Sequence, residues 1–469
     1  MKKLLQPFFS LFIFFISASP IIFSTGCANM IPPSGGPRDS LPPVLLQALP
    51  KDSTLRFTGD RITLTFNEFM QIENAFENVL VSPTPKNIPI INVRLREVNI
   101  RIKDTLEPNT TYAIDFGNAL KDINEGNILK NFTYVFSTGN YLDSNTISGK
   151  VILAETGKID TTLLVVLHRS LDDSAVAKEN PRYITKLDGK GNFQFRYLPE
   201  GTFAIYAIPN EFSHHYDDTT KPFAFADNPV NTAEENEPIT LYAYELARID
   251  TGTAKAAPEA PAKGAKEDKQ LRFYSNLESG RLDLLSTLEI NFNKKIAAFD
   301  TTKLILANET LQPLPYTIVP DTNRTRFTIR TNWVPDQRYN LIFDTTAFAD
   351  SAGVTLTKND TLKFQTKRIE DYGSVRLRFR NLDLTKNPVL QLVKSEKVIE
   401  SVPLTQAEWS RKLFEPGDYE MRILYDNNKN GKWDPGNFFG EHLQPERVIT
   451  LDKKLNVRAN WDNESDITL

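Results

Sequence analysis

One cysteine in 469 residues excludes any disulfide within the chain, so packing alone must hold whatever it folds into. Histidine is as scarce: His168, His214, His215 and His442 are all there are, and none stands in a Gly-x-Ser-x-Gly or His-Glu-x-x-His setting. Phosphate-cradling glycine loops are missing as well. Gly189 and Gly191 fall in a strand-to-strand turn and read as hairpin chemistry. Charge of one sign is lacking too, because a formal net charge of -4 over this length leaves no electrostatic footprint for nucleic acid. The 59 acidic residues give no reaction centre by themselves, since a glycoside-cleaving pair must flank a cleft at fixed separation. The sequence therefore reads as neither an enzyme nor a nucleic-acid binder.

A long hydrophobic run is also absent. The apolar stretch 8–16 lies between Pro7 and Pro20, too short for a transmembrane helix of about 20 residues. With Lys2 and Lys3 before it and a Pro/Gly-rich segment after it, 1–26 reads as a cleaved signal peptide. Its end, Phe23-Ser24-Thr25-Gly26-Cys27, resembles the lipobox of bacterial lipoproteins, apart from Ser24 where that pattern has an aliphatic residue. The resemblance implies a covalent diacylglycerol and an N-acyl chain at Cys27, giving membrane contact through a lipid anchor at the outer membrane. The alternative is an uncleaved anchor with a free thiol. Residues 27–41, rich in Pro and Gly, read as a tether, and Ala28-Asn29-Met30-Ile31 leaves periplasmic or surface residence open.

What the chain has in quantity is alternation. Ile62-Thr-Leu-Thr-Phe66, Tyr112-Ala-Ile-Asp-Phe116 and Phe132-Thr-Tyr-Val-Phe136 place apolar side chains at period two, between turns rich in Pro, Asn, Asp and Gly. The pattern then returns. Ile62 to Met70 matches Leu288 to Ile296, Pro108, Tyr112 and Phe116 match Pro335, Tyr339 and Phe343, and Phe136-Ser-Thr138 matches Phe364-Gln-Thr366. A second kind of unit repeats as well: Leu198-Pro-Glu-Gly201 leads into a strand as Phe414-Glu-Pro-Gly417 does. The predicted fold is all-β, with tandem Ig-like β-sandwiches in an A-B-A-B duplication: 42–140, 141–250, 271–368 and 369–469. An Ala/Pro/Lys linker at 251–270 is expected to let the two halves reorient.

The A units, through 64–70, 106–116 and 134–139 and their counterparts 290–296, 333–343 and 362–367, resemble the SbsA-type bacterial Ig-like domain of exported proteins. The B units, through 188–208 and 414–426, resemble carboxypeptidase-regulatory-like or prealbumin-like sandwiches. These resemblances imply structural or binding modules.

One motif points to a metal. Asp426, Asn428, Asn430 and Asp434 put side-chain oxygens at loop positions 1, 3, 5 and 9, Gly431 permits the tight turn, and Lys432 supplies a backbone carbonyl, as in the first part of an EF-hand-type loop. Calcium, a hard cation, suits such oxygens. Position 12 is Asn437, not Glu, and Glu441 is a substitute only if the chain folds back; a metal-free turn is the alternative. The matching loop of the first B unit carries His214, His215, Asp217 and Asp218, which reads as a polar loop rather than a transition-metal site. Trp333, Trp409, Trp433, Trp461, Tyr216, Phe438 and Phe439 are candidates for a sugar- or peptide-stacking platform, although aromatics in sandwiches more often fill the core. Asp-Ser/Thr pairs at Asp104, Asp160, Asp173, Asp300, Asp344 and Asp360 resemble an O-glycosylation acceptor pattern but are also plain turn composition. The sequence thus reads as a non-catalytic envelope lipoprotein with a structural, adhesive or protein-interaction role and with envelope proteins or glycans as partners. A carbohydrate- or peptide-binding accessory lipoprotein of an uptake complex is the first alternative, and a hydrolase with an unrecognised site the second.

Overall fold

A computed structural model describes residues 38–246 and 270–469. The signal segment 1–26, Cys27, the tether up to residue 37 and the linker at 251–269 lie outside the described residues. Among the described residues strand makes up 46% and helix 4%, so the class is all-β, as the alternation predicts. Among the described residues no helix is long and apolar enough to cross a membrane.

In the first A unit, strands Leu45–Leu49, Arg61–Phe66, Glu97–Arg101 and Ile90–Arg94 form one sheet in that order, and Leu80–Ser82, Thr111–Asp115 and Thr133–Ser137 form another. A short pair, Met70–Ile72 with Leu120–Asp122, completes it. Period-two burial puts Ile62, Leu64, Phe66, Val98 and Ile100 from one sheet against Tyr112, Ile114, Tyr134 and Phe136 from the other. Each such burial stabilises by about 1.5–3 kcal/mol against an exposed side chain. The second A unit repeats the order with Phe273–Ser275, Leu288–Phe292, Arg326–Arg330 and Thr317–Pro320. Against it lie Leu304–Asn308, Arg338–Phe343 and Asp360–Thr366, with Arg281–Leu282 added at the edge.

Of the repeated sequence blocks, the first is a core strand and the other two form the corners of these sandwiches. Tyr112 Oη accepts the Glu107 N–H at 2.8 Å, and Tyr339 Oη accepts that of Val334 at 2.9 Å. The rings stack on Phe136 (5.2 Å) and Phe364 (5.5 Å). Thr138 Oγ1 donates to Glu107 O at 2.7 Å, and Thr366 Oγ1 to Val334 O at 2.6 Å. One aromatic and one hydroxyl thus close each corner, which is the tyrosine-corner device of Ig-like sandwiches.

The B units also share one topology. Asn145–Leu153 runs between antiparallel Asn192–Leu198 and parallel Ile239–Ala243; Gly373–Arg380 runs likewise between Glu408–Phe414 and Asp462–Thr468. Their second sheets are Tyr183–Lys186, Leu163–His168, Thr202–Pro209, Ala224–Phe225 in the first unit and Lys397–Pro403, Pro388–Lys394, Gly417–Tyr425, Arg447–Thr450 in the second.

The first A unit, 38–81 with 85–141, is one compact unit, and 142–246 with 270–469 belongs to a second. Within the second, the expectation that the halves reorient meets a different arrangement: the two B sandwiches pack on each other. Val448 N donates to Ala154 O at 2.9 Å, and Thr450 Oγ1 bonds Thr156 O. Gly157, at φ +67°, is required there, because a Cβ would stand 2.8 Å from Val448 O. Leu163–His168 and Pro388–Lys394 are buried along nearly their whole length rather than on alternate residues.

Candidate metal site

The loop singled out by sequence leaves the sheet at Tyr425 and returns at Arg447, residues that face each other across an antiparallel pair. Their neighbours Asp426 and Glu446 are therefore brought side by side although twenty positions apart. Both are buried, at 2% and 4% exposure. Asp426 Oδ1 and Oδ2 accept the N–H groups of Asn430 (3.2 Å) and Gly431 (2.6 Å), and Gly431 takes φ +76° to make the turn. Glu446 Oε1 and Oε2 accept those of Asn427 (2.6 Å) and Asp434 (3.1 Å). Asp434 Oδ2 takes both side-chain amides, Asn428 Nδ2 at 2.7 Å and Asn430 Nδ2 at 2.6 Å. Lys432 enters through its backbone, its N–H donating to Asn430 Oδ1 at 2.7 Å.

Four of the five expected residues thus share one side-chain network, and Glu446 is the member that sequence spacing missed. Asn437 is engaged elsewhere, with Leu443 and Gly440, and Glu441 is exposed. Among the described residues Asp426, Asp434 and Glu446 form no ion pair within 4.0 Å. Burial, and after it the Asp426 and Asp434 carboxylates, pushes Glu446 above the usual carboxylate range, against the two N–H donors that pull it down. Unpaired carboxylates out of water are costly, and an oxygen-seeking cation would offset that cost.

A second acidic group escaped the sequence reading. Glu68, Asp122 and Glu125 bring ligand oxygens within 4.8 Å of one another. Burial disfavours the Asp122 charge, but N–H donors from Glu125, Gly126 and Asn127 outweigh it and hold the group below its ordinary value. In the second A unit the place of Glu68 is taken by Lys294, whose Nζ lies 3.4 Å from Asp350, the counterpart of Asp122.

The other sequence candidates disperse. His215 Nε2 meets Asn180 Oδ1 at 3.2 Å, while Asp218 is occupied with Thr220, so His214, His215, Asp217 and Asp218 share no centre among the described residues. The aromatic candidates divide between core and surface. Trp333 packs edge-on against Tyr339, Trp433 donates its indole N–H to Glu446 O, and Tyr216 and Phe438 are each 3% exposed. Phe439 and Trp461 stay exposed, and Trp461 lies beside Arg458 in another part of the unit. These aromatics went into packing because sandwiches bury what they can. Asp160, Asp300 and Asp344 each accept the N–H and hydroxyl of the Thr two positions on, the geometry of a side-chain turn.

Residues 39–138 match the family described as Bacterial Ig-like domain. No curated protein matches the chain. Among solved structures, the Bacillus anthracis TIE protein is 12% identical, covering 93% of this chain and 76% of its own, at a TM-score of 0.17. BcpA, the major pilin subunit of Bacillus cereus, is 11% identical over 69% of this chain and 99% of its own, at 0.16. The major pilin SpaD from Corynebacterium diphtheriae is 10% identical over 69% and 97%, also at 0.16.

Proposed function

We propose that the protein is a non-catalytic scaffold of the bacterial cell envelope, held to the outer membrane by acyl chains on Cys27, presenting sandwich surfaces to envelope proteins or glycans. The observation that supports this reading is the double duplication: both kinds of module recur with the same strand order, and the repeated residues are spent on cores and corners. The A units are SbsA-type Ig-like domains and the B units carboxypeptidase-regulatory-like modules in this reading. Calcium belongs to it as a structural ion, held by Asp426, Asp434 and Glu446 with the Asn428 and Asn430 amides and the Lys432 carbonyl.

Cross-linking on intact cells followed by affinity capture of the chain tests the role. Recovery of the same envelope proteins from independent cultures supports it. Saturable binding to one sugar on a glycan array, without protein partners, would favour the uptake-accessory reading instead.

A further inference from the structure

The two A units share backbone hydrogen bonds that identify equivalent positions. Val44 N donates to Asn67 Oδ1 at 2.6 Å as Arg272 N does to Asn293 Oδ1 at 2.8 Å. Met70 N donates to Leu95 O at 2.8 Å as Ile296 N does to Arg324 O at 2.9 Å. Phe69 precedes Met70 and Ile123 follows Asp122, as Lys295 precedes Ile296 and Ser351 follows Asp350, and Ile123 N donates to Phe69 O at 2.9 Å. Val44, Phe69, Leu95 and Ile123 are 56%, 43%, 66% and 54% exposed, and where the first A unit has them the second has Arg272, Lys295, Arg324 and Ser351, all exposed. The sandwich therefore closes without these apolar side chains, and a group of them left in water marks a contact surface.

All four lie at one end of the module. Leu45 faces Phe66, Thr65 faces Glu97 and Arg94 faces Glu97, so Val44, Phe69 and Leu95 stand just past the same strand ends. The chain enters here: Arg38 Nη2 donates to Glu125 O at 2.9 Å and Asn127 Nδ2 to Asp39 O at 3.2 Å, on the turn that carries Ile123. It leaves from the opposite end, past Leu49, where Arg56 N donates to Gly139 O at 2.8 Å and Phe57 N to Ser137 O at 2.9 Å. Ten residues, 28–37, separate Cys27 from Arg38, a span of at most about 40 Å.

We propose that this end of the first A unit seats on the lipid surface, with Val44, Phe69, Leu95 and Ile123 dipping among the headgroups. The inference rests on the acylated Cys27 reading above and adds which face the anchor brings to the membrane. The guanidinium of Arg96, 5.4 Å over the Phe69 ring, is placed to remain among phosphates as the ring enters. Glu68, Asp122 and Glu125 gather at the same end, so attraction to anionic lipid is not the driving force and the contact is apolar. A short tether raises the effective concentration of the surface, which lets a patch too small to bind by itself stay seated.

The acylated full chain in phosphatidylcholine vesicles, with a fluorophore on Ile123→Cys, reads this contact through quenching by spin-labelled phosphatidylcholine. Wild type is the labelling control, because an acylated Cys27 takes no fluorophore. The label at position 123 should be quenched several-fold more than one on Ser351→Cys, the equivalent place in the second A unit. Adding Phe69→Lys and Leu95→Arg, which copy the residue types of the second unit, should bring the two labels to the same level while the protein still floats with the vesicles. Flotation with equal quenching at both positions before those changes would overturn the seating and leave the anchor standing. A wild type that takes the fluorophore at Cys27 and does not float would remove both. A label at position 123 that is shielded on intact cells but open to water on vesicles would overturn the lipid contact in favour of a protein occupant.

Discussion

Lowering the pH from 7 to 5 should loosen the first B sandwich, through one imidazole. His168 ends the strand Leu163–His168, is 1% exposed, and has no partner for Nε2 among the described residues. Tyr206 lies edge-on to it at 5.8 Å. Burial, and secondarily the charge of His215, holds its pKa down to about 4 from 6.5. In the pH range between these values the unfolded chain binds a proton that the folded one refuses. Stability is therefore full above the unfolded value and falls as pH drops, by about 1.4 kcal/mol per unit, until pH reaches the folded value. Over the roughly 1.5 units from 6.5 to 5 the loss is about 2 kcal/mol. His214, also lowered by burial, adds in the same direction. Amide exchange in Leu163–His168 and Thr202–Pro209 reads this module apart from the others. His168→Phe, which leaves no hydrogen bond of Nε2 to lose, should remove the larger part of the pH dependence. Equal protection at pH 7 and 5 in the wild type, or an unchanged slope in His168→Phe, would refute the reasoning.

Calcium should raise the melting temperature of the wild type, and Asp426→Ala or Asp434→Ala should abolish the increase; scanning calorimetry with EGTA as reference decides it. Glu68→Lys copies into the first A unit the Lys294 arrangement of the second, and should raise the melting temperature of that unit by a few degrees, whereas Lys294→Glu should lower that of the second. Tyr112→Phe and Tyr339→Phe each remove one hydrogen bond at a corner and should cost about 1 kcal/mol, measured as faster exchange in Thr111–Asp115 and Arg338–Phe343 respectively.

The alternation made the A strands legible, because one face of each meets the core and the other meets water. The repeated Pro, Tyr, Phe and Thr could be found as a pattern, but their purpose could not be read: a hydroxyl reaching five residues back is a fact of the folded corner. Strands such as Thr202–Pro209 hid more, since a segment buried on both faces loses its period and its second face is covered by a strap from a distant module. The hydrogen-bonded grouping of Asp426, Asn428, Asn430 and Asp434 was visible because the spacing of their side-chain oxygens is local. Glu446 was not, because only the pairing of Tyr425 with Arg447 brings it to the loop. Phe438 could not be placed for the same reason. The exchange of Glu68 for Lys294 was in plain view in the aligned repeats, yet it acquires meaning only once Asp122 and Asp350 are seen to face those positions.

Intact mass analysis of the protein extracted from native membranes, for wild type and Cys27→Ser, tests the envelope-scaffold account most directly. A chain beginning at Cys27 and carrying three fatty acyl groups, lost together with membrane association in Cys27→Ser, is the predicted result. A wild-type chain recovered from the soluble fraction with an unmodified Cys27 would contradict it.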